Sequence, residues 1–284
     1  MSVTVAQVLA ALERRYPVGL AADWDAVGLI CGDPSAPVER VLFAVDPVQV
    51  VVDEAIMGGF DLVITHHPLL LHGVHGVGAT DAKGKVVHDL IRNDVALASA
   101  HTNADHANPG VSDALARVLG LRDVRPLDPS SGNPLLAGTG TGRIGNLPEP
   151  VTLEQFAELV ATVLPATAHG VRLAGDPMQL VSTVAVCGGA GDSLLSLAAS
   201  AADVYLTSDL RHHRAQDHLA EGGCALIDVA HWASEYPWLI QAAEFLVSDL
   251  AETGQTITAH CSVTPTDPWT AHRPSIDLGV INEG

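Results

Sequence analysis

The chain has 284 residues, of which 48% are hydrophobic and 17% are charged, and its formal net charge is −19 at pH 7. This length and composition indicate a globular protein with a large buried core and exclude a disordered chain. The acidic charge disfavours nonspecific binding to nucleic acid, which needs clustered lysine and arginine. We expect neither a membrane span nor a signal peptide, because the sequence lacks the long apolar run of the first and the basic and apolar segments of the second.

The cysteines and histidines narrow the chemistry further. Four widely spaced cysteines form no Cys-x-x-Cys pair, so we expect no disulfide, no thiolate zinc site and a cytoplasmic location. Cys187 and Cys224 lie in apolar runs and are predicted to be core residues. Histidine occurs 14 times, and imidazole is the commonest side-chain ligand of transition metals.

Several segments recur in the same order, which indicates an internal duplication. The matching pairs are 4–17 with 152–165, 38–46 with 181–189, 60–65 with 202–207, and His101 with His231. The first pair reads as an amphipathic helix with a Thr N-cap and a final Pro. The offset between the copies falls from 148 to 130 along the chain, which predicts an insertion in the first copy at 72–84. Chance similarity between apolar runs is the alternative.

Helical and strand-like segments alternate, which predicts an α/β fold of two similar halves around mostly parallel sheets. We expect a first half over residues 1–125, a connecting segment over 126–150, a second half over 151–262 and an extended tail over 263–284. Ligands of such sheets bind beyond the carboxyl ends of the strands.

Potential metal ligands follow three of the predicted strands. They are His66 and His67, then His101 with Asp105, and finally His231 with Glu235. Neighbouring side chains on an extended backbone point apart, so His66 and His67 could serve two different ions. Nitrogen and oxygen donors without thiolate suit Zn, Mn, Fe, Co or Ni. The sequence therefore predicts a site for two divalent metal ions.

The chain resembles the NIF3-like family of dinuclear-metal proteins, whose members are often named GTP cyclohydrolase 1 type 2 homologues. The motifs that carry the resemblance are 24–29 (Trp-Asp-Ala-Val-Gly-Leu), 64–69 (Ile-Thr-His-His-Pro-Leu), 99–105 (Ser-Ala-His-Thr-Asn-Ala-Asp), 207–213 (Thr-Ser-Asp-Leu-Arg-His-His) and 230–235 (Ala-His-Trp-Ala-Ser-Glu). The resemblance implies two similar α/β halves, a homohexameric ring and a two-metal site that faces an internal cavity. The sequence departs from the pattern of many family members at Ala26, Ser208 and Ala230, and none of these positions is an implied metal ligand.

The same resemblance implies a distribution of the ligands. One metal would be bound by His67 and Asp105, the other by His66 and His231, and Glu235 would bridge the two. His101 is expected to hold a ligand in place rather than to bind a metal itself, with direct ligation as the alternative.

Two other motifs leave alternatives open. His212 and His213 are expected to open a helix, either as pocket residues for an anionic substrate or as solvated side chains. The glycine-rich segment 188–193 follows a predicted strand and could hold phosphate at a helix N-terminus or form a tight turn.

The function implied by the resemblance is metal-dependent hydrolysis of a small nucleotide, with opening of the GTP ring and release of formate. The chain has no Gly-x-Ser-x-Gly motif, so the expected nucleophile is a metal-bound water and no catalytic side chain is assigned. Two alternatives remain. One is another two-metal hydrolase such as a phosphoesterase, and the other is a non-enzymatic metal-binding or regulatory scaffold.

Overall fold

The computed structural model describes residues 2–130 and 136–274. The first sheet contains β2 (Gly28–Cys31), β4 (Arg40–Ala44), β5 (Leu62–Thr65), β6 (Ala96–Ser99) and β13 (Thr258–Cys261), in the order β13-β4-β5-β6-β2. A short ribbon beside it is formed by β1 (Val3–Thr4) and β3 (Pro37–Val38). The second sheet contains β7 (Arg122–Pro129), β8 (Gly140–Thr152), β9 (Val171–Ala174), β10 (Leu180–Ala190), β11 (Val204–Ser208) and β12 (Ala225–Val229), in the order β7-β8-β10-β11-β12-β9.

Helices cover both faces of each sheet. In the first half they are α1 (Val5–Arg15), α2 (Gln49–Gly58), α3 (Ala82–Arg92), α4 (Thr102–His106) and α5 (Val111–Val118). In the second half they are α6 (Leu153–Val163), α7 (Leu195–Ala201), α8 (His212–Ala220) and α9 (His231–Glu252). The predicted α/β fold is therefore confirmed.

The parallel strands form the centre of each sheet. In the first sheet β13, β4, β5 and β6 are parallel and only β2 is antiparallel. In the second sheet β10, β11 and β12 are parallel, whereas β7, β8 and β9 pair antiparallel. The second sheet is mixed because β7 and β8, which follow one another in the chain, add to its edge as an antiparallel pair.

The two halves share local details that support duplication. Thr4 and Thr152 cap α1 and α6, and each forms a capping box with a Gln three residues later. Val151-Thr152 pairs with Leu180-Val181 in the same way that β1 pairs with β3. The predicted insertion also lies where the copies differ. Residues 66–81 separate β5 from α3, whereas only 209–211 separate β11 from α8.

Sheet membership crosses the predicted boundaries. The predicted connecting segment 126–150 contributes most of β8 and part of β7 to the second sheet, and its residues 131–135 lie outside the described part. Strand β13, near the end of the predicted second half, joins the first sheet beside β4. Of the predicted tail, the structure describes residues 263–274.

Helix α9 joins the two halves. It begins directly after β12 of the second sheet, yet Trp238 and Leu239 lie in the hydrophobic core of the first half. The Trp238 ring lies 5.6 Å from the Tyr16 ring and 6.4 Å from the Phe43 ring, measured between centroids. Burial of apolar surface between α9 and the first sheet therefore fixes how the β12 strand end faces the β5 and β6 strand ends.

The cysteines are all free, and Cys187 and Cys224 are buried as predicted. Among the helices within 2–130 and 136–274, none is both long enough and apolar enough to span a bilayer.

The position of Trp238 leads to a stability prediction. Trp238→Ala should lower the free energy of unfolding by about 3–5 kcal/mol, because it leaves a cavity where a fully buried ring stood. Ile240→Ala on the same helix is the matched control, since Ile240 is 46% exposed, and it should cost about 0.5 kcal/mol or less. Urea unfolding of both variants would measure the difference, and equal losses would contradict the assigned core.

Candidate metal centre

The predicted ligands meet at one place because three strand ends face each other. His66 and His67 follow β5 directly, and His101 follows β6 and precedes α4. From the second half, His231 begins α9 directly after β12, and Glu235 lies one helical turn further on. Side chains at positions i and i+4 of a helix share a face, so His231 and Glu235 point the same way.

Each of the four histidines is oriented through its Nδ1 atom. His66 Nδ1 donates to the carbonyl oxygen of Ala100 at 2.9 Å. The other three donate to carboxylates: His67 to Asp46 at 2.7 Å, His101 to Asp25 at 2.9 Å and His231 to Asp209 at 2.6 Å. These partners can only accept hydrogen bonds, so each Nδ1 carries the proton. In the neutral rings every Nε2 then offers a lone pair, as a metal ligand must.

Three of these rings point their Nε2 atoms at the Glu235 carboxylate. His66 Nε2 is 3.4 Å from Oε1, His231 Nε2 is 2.9 Å from Oε1, and His67 Nε2 is 3.3 Å from Oε2. Glu235 is only 3% exposed. A buried carboxylate surrounded by imidazole nitrogens from both halves is the centre of the site.

Asp105 lies nearest His66, and its Oδ1 atom is 3.7 Å from His66 Nε2. His67, His231 and Glu235 offer ligand atoms that all lie within 4.8 Å of one another. His66 Nε2 and His231 Nε2 face the same oxygen of Glu235, whereas His67 Nε2 faces the other. The distribution of the ligands between two ions that the resemblance implies stays a prediction.

The placement of His101 favours the alternative of direct ligation. Its ligand atom lies within 4.8 Å of those of His66 and His67. The Asp25 carboxylate that holds its ring also accepts hydrogen bonds from the backbone and side chain of Thr102.

Unpartnered buried atoms show that the site fits a cation. His66 Nε2, His231 Nε2 and Glu235 Oε2 are buried and have no hydrogen-bond partner among the described residues. Although His231 Nε2 is close to Glu235 Oε1, the pair does not adopt hydrogen-bond geometry. Leaving such atoms unpaired costs about 1–3 kcal/mol each. A divalent metal would satisfy all of them, and the mixed imidazole and carboxylate donors are those that transition metals bind.

Without a cation, protons would take the place of the metal. Burial lowers the pKa of His67 and of His231, but the Glu235 charge and the orienting aspartates outweigh it and raise these pKa values to about 11 and about 10. Burial likewise raises the pKa of Glu235, yet the three surrounding histidines hold it well below its usual value. The cluster is therefore organised around a negative charge that requires positive charge beside it.

The other two members respond differently. Burial, together with the positive charge of His66, lowers the pKa of His101. Burial raises the pKa of Asp105, and the nearby Glu235 charge adds to the effect. Neutral His101 is the form that can bind a metal.

Gly189 makes room for the central carboxylate. It lies at the end of β10, where a Cβ atom would be 2.4 Å from Glu235 Oε1 and 3.0 Å from His231 Nε2. Its φ of +69° also favours glycine. Of the two alternatives for segment 188–193, the structure favours close approach at a turn, with Gly189 N donating to Ser234 Oγ at 2.8 Å.

The sequence motifs did not reveal that three carboxylates orient the rings. Asp46 and Asp209 each lie just beyond a strand, β4 and β11, and Asp25 belongs to the Trp-Asp motif. A search for acidic residues at the remaining strand ends could have found the first two. Asp25 lies outside any strand, so only the fold brings it to His101.

His212 and His213 are exposed at the start of α8, as the helix prediction required. The neighbouring Arg211 pairs with Asp192, and Arg214 donates to the Asp192 carbonyl oxygen at 2.9 Å. The two histidines belong to neither group of candidate ligands found in the described residues. Their role as pocket residues for an anion stays a prediction.

Two cavities adjoin the cluster and share Asp46 and His67. One, of about 280 Å³, is also lined by His231, Asp209 and the C-terminal residues 266–269. The other, of about 470 Å³, lies between α2 and α3 and is lined by Leu69, Val86, Lys83 and Lys85 among others. The cluster is thus accessible to a small molecule from two sides.

Comparisons with known proteins identify the family and the fold. Residues 3–268 match the family model described as Duf34/NIF3 (NGG1p interacting factor 3). The chain is 51% identical over 269 residues to a "GTP cyclohydrolase 1 type 2 homolog" of Streptomyces coelicolor, covering 94% of each protein. A Bacillus cereus protein related to NIF3 has a similar structure, with a TM-score of 0.88, 27% identity and coverage of 95% and 99% of the two chains. A hypothetical protein of Staphylococcus aureus also has a similar structure, with a TM-score of 0.86, 28% identity and coverage of 95% of this chain and 99% of that chain.

The space provided by Gly189 leads to a prediction. Gly189→Ala should lower the bound metal measured by elemental analysis, because the new methyl group displaces the Glu235 carboxylate. The matched control is Gly120→Ala, where φ is +71° and nothing lies within 4 Å of the added Cβ. Both variants should lose about 1–2 kcal/mol of stability from the left-handed backbone. Full metal content in Gly189→Ala would contradict the assigned site.

A pair of threonines provides a second prediction. Thr266 Oγ1 donates to Asp46, which orients His67, whereas Thr264 Oγ1 donates to Glu54, which contacts no ligand. Thr266→Val should therefore weaken metal binding about tenfold, while Thr264→Val should leave it unchanged. Competition with a chelator of known affinity would measure both. Equal affinities in the two variants would show that the contact with Asp46 does not matter.

Proposed function

The chain belongs to the Duf34/NIF3 family, and we propose that it is a dinuclear metal-dependent hydrolase that acts on a small nucleotide. The observation that carries this proposal is the buried Glu235 carboxylate, which faces unpartnered imidazole nitrogens of both halves. Buried polar atoms in proteins are nearly always paired, so the unpartnered atoms here support a bound cation.

In the proposed site, His67 and Asp105 would hold one divalent ion, and His66 and His231 would hold the other. Glu235 would lie between the two ions, and His101 would be available as a further ligand. The approach of His66 Nε2 and His231 Nε2 to Oε1 of Glu235, with His67 Nε2 beside Oε2, supports this distribution. Zn, Mn, Fe, Co and Ni all suit such donors.

The side chains around the ions prepare the site before substrate arrives. Asp46, Asp25 and Asp209 fix the ring orientation and the proton position of three ligands. When bound, a pair of divalent ions lowers the pKa of water and stabilises negative charge on a substrate oxygen. No buried Cys or Ser beside the ligands is needed as a covalent nucleophile.

The proposed substrate is GTP, because the relatives are named GTP cyclohydrolase 1 type 2 homologs. The reaction consumes two waters. The first opens the guanine imidazole ring by breaking the C8–N9 bond, which leaves a formamide on N7. The second cleaves this formamide to formate and a free amine.

The two cavities are suited to hold the base and the triphosphate of one nucleotide in different places. Neither lysine nor arginine lines the cavity of about 280 Å³. Lys83 and Lys85 line the cavity of about 470 Å³, which begins at the shared His67. A triphosphate would therefore extend towards α3, where positive charge is available.

We further propose a homohexameric ring and a cytoplasmic location. The ring follows from the family resemblance alone. The cytoplasmic location is supported by four free cysteines, which a reducing compartment would keep unpaired.

The proposal is tested with metal-loaded protein incubated separately with GTP and with a simple phosphoester. Formate without phosphate supports the proposed reaction, phosphate alone would indicate a phosphoesterase, and no turnover with any of the five metals would indicate a scaffold. Glu235→Ala is the control. It should lose both metals and all turnover because it removes the shared carboxylate, and full metal retention would refute the proposed bridge.

A further inference from the structure

The C-terminal segment 262–269 crosses the first half and ends at the candidate metal centre. Ser262 Oγ and Thr264 Oγ1 donate to Glu54 of α2 at 2.7 and 2.9 Å. Thr266 Oγ1 then donates to Asp46, the residue that orients His67. These contacts hold the segment in place beside the proposed ligands.

Beyond Thr266 the segment forms one wall of the cavity of about 280 Å³. Asp267, Pro268 and Trp269 line this cavity together with His67 and His231. Trp269 is 68% exposed, although a tryptophan offers a large apolar face. An exposed aromatic ring at the mouth of a cavity is a surface on which a planar ligand can stack.

The charge of the cavity selects against phosphate. Asp46, Asp209 and Asp267 line it, and no lysine or arginine does. Asp46 is already bound to His67 and Thr266, and Asp209 to His231. Asp267 differs, because its Oδ2 atom has no hydrogen-bond partner among the described residues. The terminal torsion of an aspartate is soft, so the carboxylate can turn an oxygen into the cavity.

We propose that segment 262–269 recognises the substrate, with Asp267 accepting an N–H donor of a planar nitrogen heterocycle and Trp269 stacking on its face. This inference rests on the proposed function and names the part of the substrate that the acidic cavity receives. A carboxylate accepts hydrogen bonds only, so heterocycles that carry N–H groups bind and those without them bind poorly.

The size of the cavity agrees with a base alone. About 280 Å³ lies at the lower limit of ordinary ligand pockets, which span about 300–1,000 Å³. A purine base fits such a volume, and the rest of a nucleotide would have to lie outside it.

Two nucleosides test the inference by calorimetric titration of the metal-loaded protein. Guanosine carries N–H donors on its base, whereas purine riboside carries none and is smaller, so weaker binding cannot result from a clash. The wild-type protein should bind guanosine at least about tenfold more tightly. Asp267→Ala should weaken guanosine binding about 10–100-fold and leave purine riboside unchanged. Trp269→Ala should weaken both about tenfold.

Controls separate recognition from folding and from catalysis. Asp217→Ala on the exposed face of α8 should bind both nucleosides like the wild type. Metal content should stay unchanged in all variants, and Asp267→Leu keeps the size of the side chain without a hydrogen-bond acceptor if the alanine variant unfolds. Unchanged guanosine affinity in the Asp267 variants, or no nucleoside binding by the wild type, would overturn the inference. Binding that depends on Asp267 without release of formate would instead refute the proposed reaction and uphold the recognition.

Discussion

The architecture of the site depends on one buried charge. Glu235 brings a carboxylate into the interface between the two halves, where an uncompensated anion would cost several kcal/mol. The neighbouring groups are arranged to accommodate this charge. The histidines turn their Nε2 atoms towards Glu235, and Gly189 leaves the space that the carboxylate occupies. Protons can supply the missing positive charge, but a divalent cation also satisfies the geometry of the unpaired atoms.

Duplication of the fold has not produced duplication of the chemistry. At the end of β5 the first copy carries His66 and His67, where the second copy carries Ser208 and Asp209 after β11. Asp209 orients His231 rather than binding a metal itself. After β4 the first copy has Asp46, whose carboxylate orients His67. At the matching end of β10 the second copy has Gly189, which leaves room for Glu235. Equivalent positions thus became complementary, because a closed site needs both ligands and the groups that hold them.

The elements that cross between the halves also complete the site. Helix α9 carries His231 and Glu235 on its first two turns and places Trp238 in the core of the first half. The C-terminal segment runs back over α2 and contacts Asp46. Since α9 provides both packing and proposed ligands, the relative position of the halves and the geometry of the site are set together.

The sequence by itself determined the fold class, the duplication, the insertion after β5 and which residues gather at the site, because hydrophobic periodicity and strand-end position are local properties. It also placed the caps of α1 and α6, since a Thr–Gln capping box spans only four residues. Only the tertiary structure decided which histidine lies beside Asp105, which carboxylates orient the rings and that segment 262–269 lines a cavity. These depend on contacts between residues up to about 220 positions apart, such as Thr266 with Asp46. No local pattern encodes such contacts, because they follow from how α9 and β13 pack against the first sheet.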